Sequence, residues 1–372
     1  MKIAYLSPFY PYRGGIAQFN DNLLPELQQL HQVQAYNFKR QYPDFLFPGK
    51  TQYVDNPDPQ KASALPRLLD TANPFSYLST ASTLAAFAPD CLLMRYWMSY
   101  FSPSQGTVAR KLRHKGCKTV SILDNVLPHE PKFFDKPFTK WFLSQQSGCV
   151  CMCEATQDDL LRLAPDKPHI LLPHPLYNHF GPKMDPLQAR RQLGLDPSKK
   201  TLLFFGLIRD YKGLDLLIDA VDALEEDVQL VVAGECYSSG DKYTQQIARL
   251  AHPQRVHMYN QYISDDRVPL FFGAADACVL PYRSATQSGI VAIAYHFETP
   301  MIATPVGGLA ESVERPGAGI MATGITAPQL REAVEHFFTM DAQVFVSQIK
   351  ELKKQLTWGI YARKLTDFIC AI

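Results

Sequence analysis

Long hydrophobic runs are missing from this sequence: no stretch of about 18 apolar residues occurs, so no segment can cross a bilayer as a helix. Charge of one sign is missing as well. The chain has 37 Lys and Arg against 36 Asp and Glu, a net charge of +1, which argues against nucleic-acid binding by phosphate neutralisation. The cysteines at 91, 117, 149, 151, 153, 236, 278 and 370 form no C-x-x-C pair. No signal-peptide pattern precedes the first apolar run, so a reduced, cytoplasmic setting is expected. Asp-x-Asp is absent, which removes the commonest carboxylate arrangement for holding a divalent metal against a diphosphate, and no metal is expected. G-x-G-x-x-G is absent too, which disfavours a nicotinamide dinucleotide site.

What is present reads as two or three globular domains: 372 residues, 46% hydrophobic and 20% charged. Residues 1–180 hold 18 Lys and Arg against 14 Asp and Glu, and the remainder 19 against 22, so the front is mildly basic and the back mildly acidic. KIAYLS at 2–7 is a strand signal, Gly14-Gly15 a glycine loop, and Ile16, Phe19, Leu23, Leu24, Leu27 and Leu30 a helical stripe. Strands are expected at 90–94, 119–123 and 148–152, with helices at 107–115 and 156–163. The Pro- and His-rich stretch 170–200 is read as a domain boundary. The plan then repeats, with strands at 202–205, 228–233, 256–259, 277–280 and 301–303 and a helix over 214–224. Such alternation predicts α/β architecture, two Rossmann-like doubly wound domains facing a cleft. The expected divisions are 1–175, 176–345 and a helical tail, 346–372, packing back on the first domain.

Three loops carry candidate chemistry. Gly14 and Gly15 lie between a strand and a helix, where backbone amides can approach an anion. Alone, such a loop equally serves to turn the chain. FGLIRDYKG at 205–213 puts Arg209 and Lys212 after a parallel strand, where open sheets bind ligands, although a solvated basic turn would look the same. PYRSATQSGI at 281–290 gathers Ser284, Thr286, Gln287 and Ser288 before a helix, more donors than an N-cap alone requires.

Other features carry weaker signals. His129, after the strand ending at Leu123, could face a cleft and hydrogen-bond a sugar or move a proton. Cys149, Cys151 and Cys153 would lie in a line about 6–7 Å apart on one strand face, which suits packing rather than a metal. Residues 131–145 join Lys132, Lys136 and Lys140 with Phe133, Phe134, Phe138, Trp141 and Phe142. That pattern suits either a helix lying on an anionic membrane or an ordinary amphipathic core helix.

Taken together, the pieces resemble the retaining GT-B-fold glycosyltransferases of group 1, family 4, over nearly the whole chain. The resemblance is carried by MKIAYLSPFYPYRGGIAQFNDNL, NVLPHE, CMCEATQDDL, HPLYNHF, FGLIRDYKGLDLLIDAV, VVAGE, ISDDRVPLFFGAADACVLPYRSATQSG and PMIATPVGGLAE. The SATQSG loop is similar to that of a bacterial subset.

The resemblance implies metal-independent transfer of a sugar from a nucleoside diphosphate, UDP first and GDP second, to a saccharide or lipid-linked saccharide, with no cofactor. It places this in bacterial surface polysaccharide or glycolipid assembly, at the cytoplasmic side and with peripheral contact to the inner membrane surface. By residue, it implies Gly14 and Gly15 on the diphosphate and acceptor side, and His129 at the donor sugar. Arg209 and Lys212 would hold the diphosphate, with Gly234, Glu235, Ser288, Gly289 and Ile290 completing the donor site. Arg209 stands two places later than the family's usual Arg, a place filled here by Leu207. Gln287 stands where the family has a Glu at the donor sugar, and the second Glu position falls on Ala294 or Tyr295. Glu298, one helical turn beyond Ala294, is the substitute candidate for the ribose. A catalytically weak sugar-binding scaffold is the alternative reading. A sugar-nucleotide 2-epimerase would need a carboxylate pair that is not evident.

Overall fold

A computed structural model describes residues 1–43, 51–54, 57–127, 132–176, 180–224, 227–236, 241–285 and 288–372. It divides into two units, Met1–His174 with Trp358–Ile372, and Pro175–Thr357.

The first unit runs β1 (Lys2–Leu6), α1 (Gly15–Leu30), β2 (Gln32–Arg40), α2 (Pro59–Ser63), β3 (Arg67–Asp70), α3 (Pro74–Ala86), β4 (Cys91–Tyr96), α4 (Ser102–Arg113), β5 (Lys118–Leu123), α5 (Asp135–Ser144), β6 (Gly148–Cys151), α6 (Glu154–Leu163) and β7 (His169–Leu171). Its strands are parallel, in the order β3-β2-β1-β4-β5-β6-β7. The central strands β1 and β4 are buried almost throughout because both of their faces are covered, β4 carrying the buried Arg95 among its apolar residues. Helix α1 buries Phe19, Leu23 and Leu27 at four-residue spacing, with Ala17 and Asn20 beside them. The three cysteines of the 149–153 segment are buried, and burial pushes the Cys149 thiol up to about 12.

The second unit runs α7 (Pro186–Gln192), β8 (Lys200–Phe205), α8 (Leu214–Asp222), β9 (Val228–Ala233), α9 (Asp241–Ala248), β10 (Val256–Tyr259), α10 (Val268–Ala274), β11 (Ala277–Leu280), α11 (Gly289–His296), β12 (Met301–Ala303), β13 (Gly319–Met321), α12 (Ala327–Thr339) and α13 (Ala342–Gln355). Its parallel sheet is ordered β10-β9-β8-β11-β12-β13, the doubly wound order. Leu214, Leu217, Ile218 and Val221 of α8 and Leu330, Val334 and Phe337 of α12 cover one face.

The C-terminal segment differs from the single tail expected over 346–372. It is two helices, α13 and α14 (Trp358–Ala371), and the division falls at 357/358 rather than 345/346. Phe345 and Ile349 of α13 are buried in the second unit's clusters. Helix α14 instead packs on α1 in the first unit, with Trp358 and Tyr361 edge-on to Phe19 at 4.9 and 5.5 Å. The fourth helix also begins earlier than expected, at Ser102 rather than Thr107, because Pro103 fits its first turn.

Candidate functional site

In an open doubly wound sheet, ligands bind beyond the carboxyl ends of the strands where the winding reverses. In the second unit this point lies between β8 and β11, since β9 is added on one side and β12 on the other. The loops leaving these two strands, 206–213 and 281–288, contain two of the segments singled out in the sequence.

Backbone and charge tie the two loops together. The Arg283 N–H donates to the Tyr211 carbonyl at 2.7 Å, and its guanidinium grips the Asp215 carboxylate with two bonds of 2.8 and 2.6 Å. The same guanidinium donates to the Asp210 carbonyl at 2.9 Å. Gly213, at φ 64° and at the N-cap of α8, lies so close that a Cβ there would run into the Pro281 carbonyl. Glycine is required on both counts.

Lys212 sits inside this junction, only 9% exposed. Its Nζ lies 5.6 Å from the centre of the Tyr282 ring, and 3.4 Å from where a Cβ on Gly206 would stand. Gly206, at φ 97°, is confined by Ile290 on another side, and Gly234 packs against its carbonyl. Burial pushes the Lys212 ammonium down from 10.5 to about 8, and the nearby Arg209 cation adds to the drop. The group acting the other way is the Cys278 thiol, itself pushed up to about 12 by burial, and no carboxylate among the described residues acts on Lys212. A buried cation coupled to a second cation, with no compensating carboxylate among the described residues, is prepared for an anionic ligand.

Helix α11 supplies the adjoining wall. Ser288 caps it, accepting from the Ile290 N–H at 3.3 Å, and its hydroxyl meets the Tyr282 hydroxyl at 3.0 Å. Gly289, the first helical residue, has open space where a side chain would be, so its backbone can be approached closely. The Glu235 carbonyl accepts from the Ile208 N–H at 2.9 Å, which brings the Gly234-Glu235 segment alongside the 206–213 loop. The structure thus assembles Arg209, Lys212, Gly234, Glu235, Ser288, Gly289 and Ile290 at one edge of the second unit's sheet.

Glu298 is not part of this assembly. Helix α11 ends at His296 and Glu298 adopts a left-handed φ of 53°, so it does not continue the Ala294 face. Its carboxylate accepts from the Lys353 ammonium at 2.7 Å and lies 3.7 Å from Lys350; despite burial, which acts the other way, these bonds hold it below the usual carboxylate range. It is a structural anchor for α13 at the far end of α11, and the ribose role expected for it is withdrawn. His129 and Gln287 lie outside the described residues. In the first unit, Gly14 has φ 106° and caps α1, and a Cβ there would meet nothing within 4 Å. Gly15 opens the helix.

Sequence reasoning missed Gly206, Asp215, Tyr282 and Arg283. Gly206 closes the run FFG and could have been flagged as a close backbone approach. The Arg283–Asp215 pair spans 68 residues, and no local signal announces it.

The family model described as "Glycosyl transferases group 1" matches residues 199–339, the stretch that builds this assembly. Over this stretch, less than half of the chain, the sequence is similar to the group 1 glycosyl transferases. Curated relatives to which the chain is similar include a D-inositol 3-phosphate glycosyltransferase of Pseudarthrobacter chlorophenolicus, 29% identical over 156 residues, covering 41% of this chain and 37% of the relative. The lipopolysaccharide core biosynthesis mannosyltransferase LpsB of Rhizobium meliloti is 28% identical over 156 residues, covering 40% of this chain and 44% of that one. The chain thus spans less than half the length of these relatives. Among solved structures, Anabaena Alr3699/HepE in complex with UDP superposes with a TM-score of 0.76 at 17% identity, over 100% of both chains. The lipopolysaccharide outer core galactosyltransferase WaaB gives 0.73 at 12%, over 100% of this chain and 99% of that one. At such identities the likeness speaks for the fold, two Rossmann-like units of the GT-B class.

Proposed function

We propose that this chain is a glycosyltransferase that moves a sugar from a nucleoside diphosphate to a saccharide or lipid-linked saccharide, in bacterial surface polysaccharide or glycolipid assembly. The observation that carries the reading is Lys212, a buried ammonium coupled to a second cation, on the loop facing a helix start whose first residue, Gly289, leaves open space. Arg209, Lys212 and the Gly289 amide bind the diphosphate and stabilise the charge that grows on it as the glycosidic bond breaks, with Ile290 beside them.

The acceptor hydroxyl attacks on the face from which the diphosphate departs, so the anomeric configuration is retained. Its proton passes to a departing diphosphate oxygen. Protein cations take the place of a metal in this scheme. UDP is the preferred nucleotide, a reading supported by the fold-related HepE structures in complex with UDP and UDP-glucose. Gly14 and Gly15 serve the acceptor side, and His129 and Gln287 the donor sugar. The reaction belongs to the cytoplasm, where nucleotide sugars are made.

The test is nucleotide release from UDP-, GDP- and ADP-sugars in chelator. Lys212→Ala should lower turnover by about two orders of magnitude or more, as removal of a preorganised charge stabiliser does. Near-normal turnover would remove Lys212 from the site, and binding without any turnover would favour the scaffold reading.

A further inference from the structure

Two like charges share one short turn in the second unit. Arg209 precedes, and Lys212 ends, the single tight turn Asp210–Lys212. The turn is closed by the Lys212 N–H on the Arg209 carbonyl at 2.9 Å and the Gly213 N–H on the Asp210 carbonyl at 3.1 Å. Arg209, Asp210 and Tyr211 are exposed, so packing does little to hold it. The two cations disfavour each other, as the pull of Arg209 on the Lys212 ammonium shows. A turn of this length is too short to hold like charges together by its own hydrogen bonds.

The fastening comes from Arg283 on the neighbouring loop. Its guanidinium donates to the Asp210 carbonyl, which also accepts the bond that closes the turn, and its N–H donates to the Tyr211 carbonyl. Both carbonyls lie between the two cations. The same guanidinium holds both oxygens of Asp215, at 2.8 and 2.6 Å. Partial burial raises the Asp215 carboxyl, yet the Arg283 bonds outweigh it and hold the group below the usual carboxylate range. Asp210 and Asp215 are the only carboxylates in the segment 206–215. The first accepts from the Lys242 ammonium at 3.0 Å and the Tyr243 hydroxyl at 3.5 Å, the second from Arg283. The two acids nearest to Lys212 in the chain are thus engaged elsewhere, and the groups acting on Lys212 are the Cys278 thiol of β11 and Arg209. Of the two engagements, the Lys242–Asp210 pair is the more exposed and the weaker.

We propose that Arg283 is a positioning residue for the nucleotide site: it fastens the turn that carries Arg209 and Lys212 and draws the Asp215 carboxylate away from Lys212, so that both cations meet an incoming diphosphate uncompensated. The effect on ligand rests on the reading of this loop as a diphosphate site, whereas the state of Lys212 that Arg283 sets exists without ligand. Without Arg283, Asp215 is an unpaired anion three residues from Lys212 and competes with the diphosphate for it. A carboxylate that approaches a lysine favours its charged form. The loss of Arg283 therefore raises the Lys212 pKa and lowers the affinity for an anion together.

The experiment uses the full chain and two variants, Arg283→Met, which keeps the apolar stem and the backbone N–H, and Arg283→Met combined with Asp215→Asn. Cooperative unfolding checks that each folds. Calorimetric titration with UDP, GDP and ADP in chelator reads affinity. For the nucleotide that the parent binds, Arg283→Met should weaken binding about tenfold, and the added Asp215→Asn should recover most of that loss by removing the competing charge. A residue that only stabilised the fold would not be rescued by removing its partner as well. The second readout needs no ligand. Urea unfolding across pH, compared with the same protein carrying Lys212→Met, reports the folded pKa of Lys212. In the parent that pKa lies below the unfolded one, so stability rises with pH from about 8 to 10.5. In Arg283→Met the rise should begin about one pH unit later. An unchanged onset, unaltered affinity, or a double variant as weak as the single one overturns the proposal. If the parent binds none of the three nucleotides, the diphosphate reading fails, and the onset of the rise alone decides the role of Arg283.

Discussion

Lys212→Met should make the unliganded protein more stable while destroying its nucleotide site. The fall of the Lys212 pKa from 10.5 to about 8 measures how strongly the folded state disfavours the charge. At about 1.4 kcal/mol for each pKa unit, this is a cost of about 3 kcal/mol for keeping the ammonium at neutral pH. Methionine retains the apolar stem and has no charge to desolvate. It gives up the cation–π contact with Tyr282 at 5.6 Å, worth about 1 kcal/mol. The net gain is about 2 kcal/mol near neutral pH, or about 4–8 °C in the melting temperature of a unit of this size.

The sign of the pH dependence is fixed. Between about 8 and 10.5 the unfolded lysine binds the proton more strongly than the folded one, so the parent protein gains stability as pH rises through this window. The advantage of Lys212→Met is therefore full below about 8 and disappears near 10.5. Thermal or urea unfolding at the two ends of the window measures it. A methionine variant less stable than the parent at neutral pH, or one whose advantage ignores pH, would refute the reasoning.

Three further outcomes are expected. A bound diphosphate keeps Lys212 protonated, so nucleotide affinity should be level below about pH 8 and fall above it, by at most tenfold per unit; a flat profile in calorimetric titrations would exclude contact with this ammonium. Gly213→Ala should cost about 2 kcal/mol or more, because alanine disfavours a left-handed φ and its Cβ would strike the Pro281 carbonyl, and unchanged unfolding would contradict that packing. Glu298→Gln should leave nucleotide affinity unaltered and cost under about 1 kcal/mol of stability, since the Lys353 pair it weakens is about a third exposed; a clear loss of affinity would restore Glu298 to the site.

Much of the fold was legible because buried parallel strands leave apolar runs between turn residues. TLLFF, VQLVV and ACVL appear where such runs were expected. Strand β2 was not singled out because polar residues interrupt it. Its Asn37 is buried for a reason the sequence does not display: the side-chain amide donates to the Phe9 and Tyr10 carbonyls, fixing the loop after β1. The division of the tail is hidden from the sequence for a related reason. Helical spacing continues from Phe345 to Phe368, yet a break after Gln355 sends the two halves to different units.

At the site, residue types and positions were visible and consequences were not. Arg209 and Lys212 on one loop could be seen; that Lys212 is buried beneath the junction with residues 281–283 follows from contacts between segments about 70 residues apart. Glu298 shows the opposite failure. Helical spacing placed it on a face that ceases to exist once α11 ends at His296.

The most direct test of the central claim is calorimetric titration of the full chain with UDP, GDP and ADP in the presence of chelator, repeated on Lys212→Met. The account predicts that one of these nucleotides binds without metal and that the methionine substitution removes the binding while the protein stays folded. Binding that requires a divalent metal, or that survives the substitution, would contradict it.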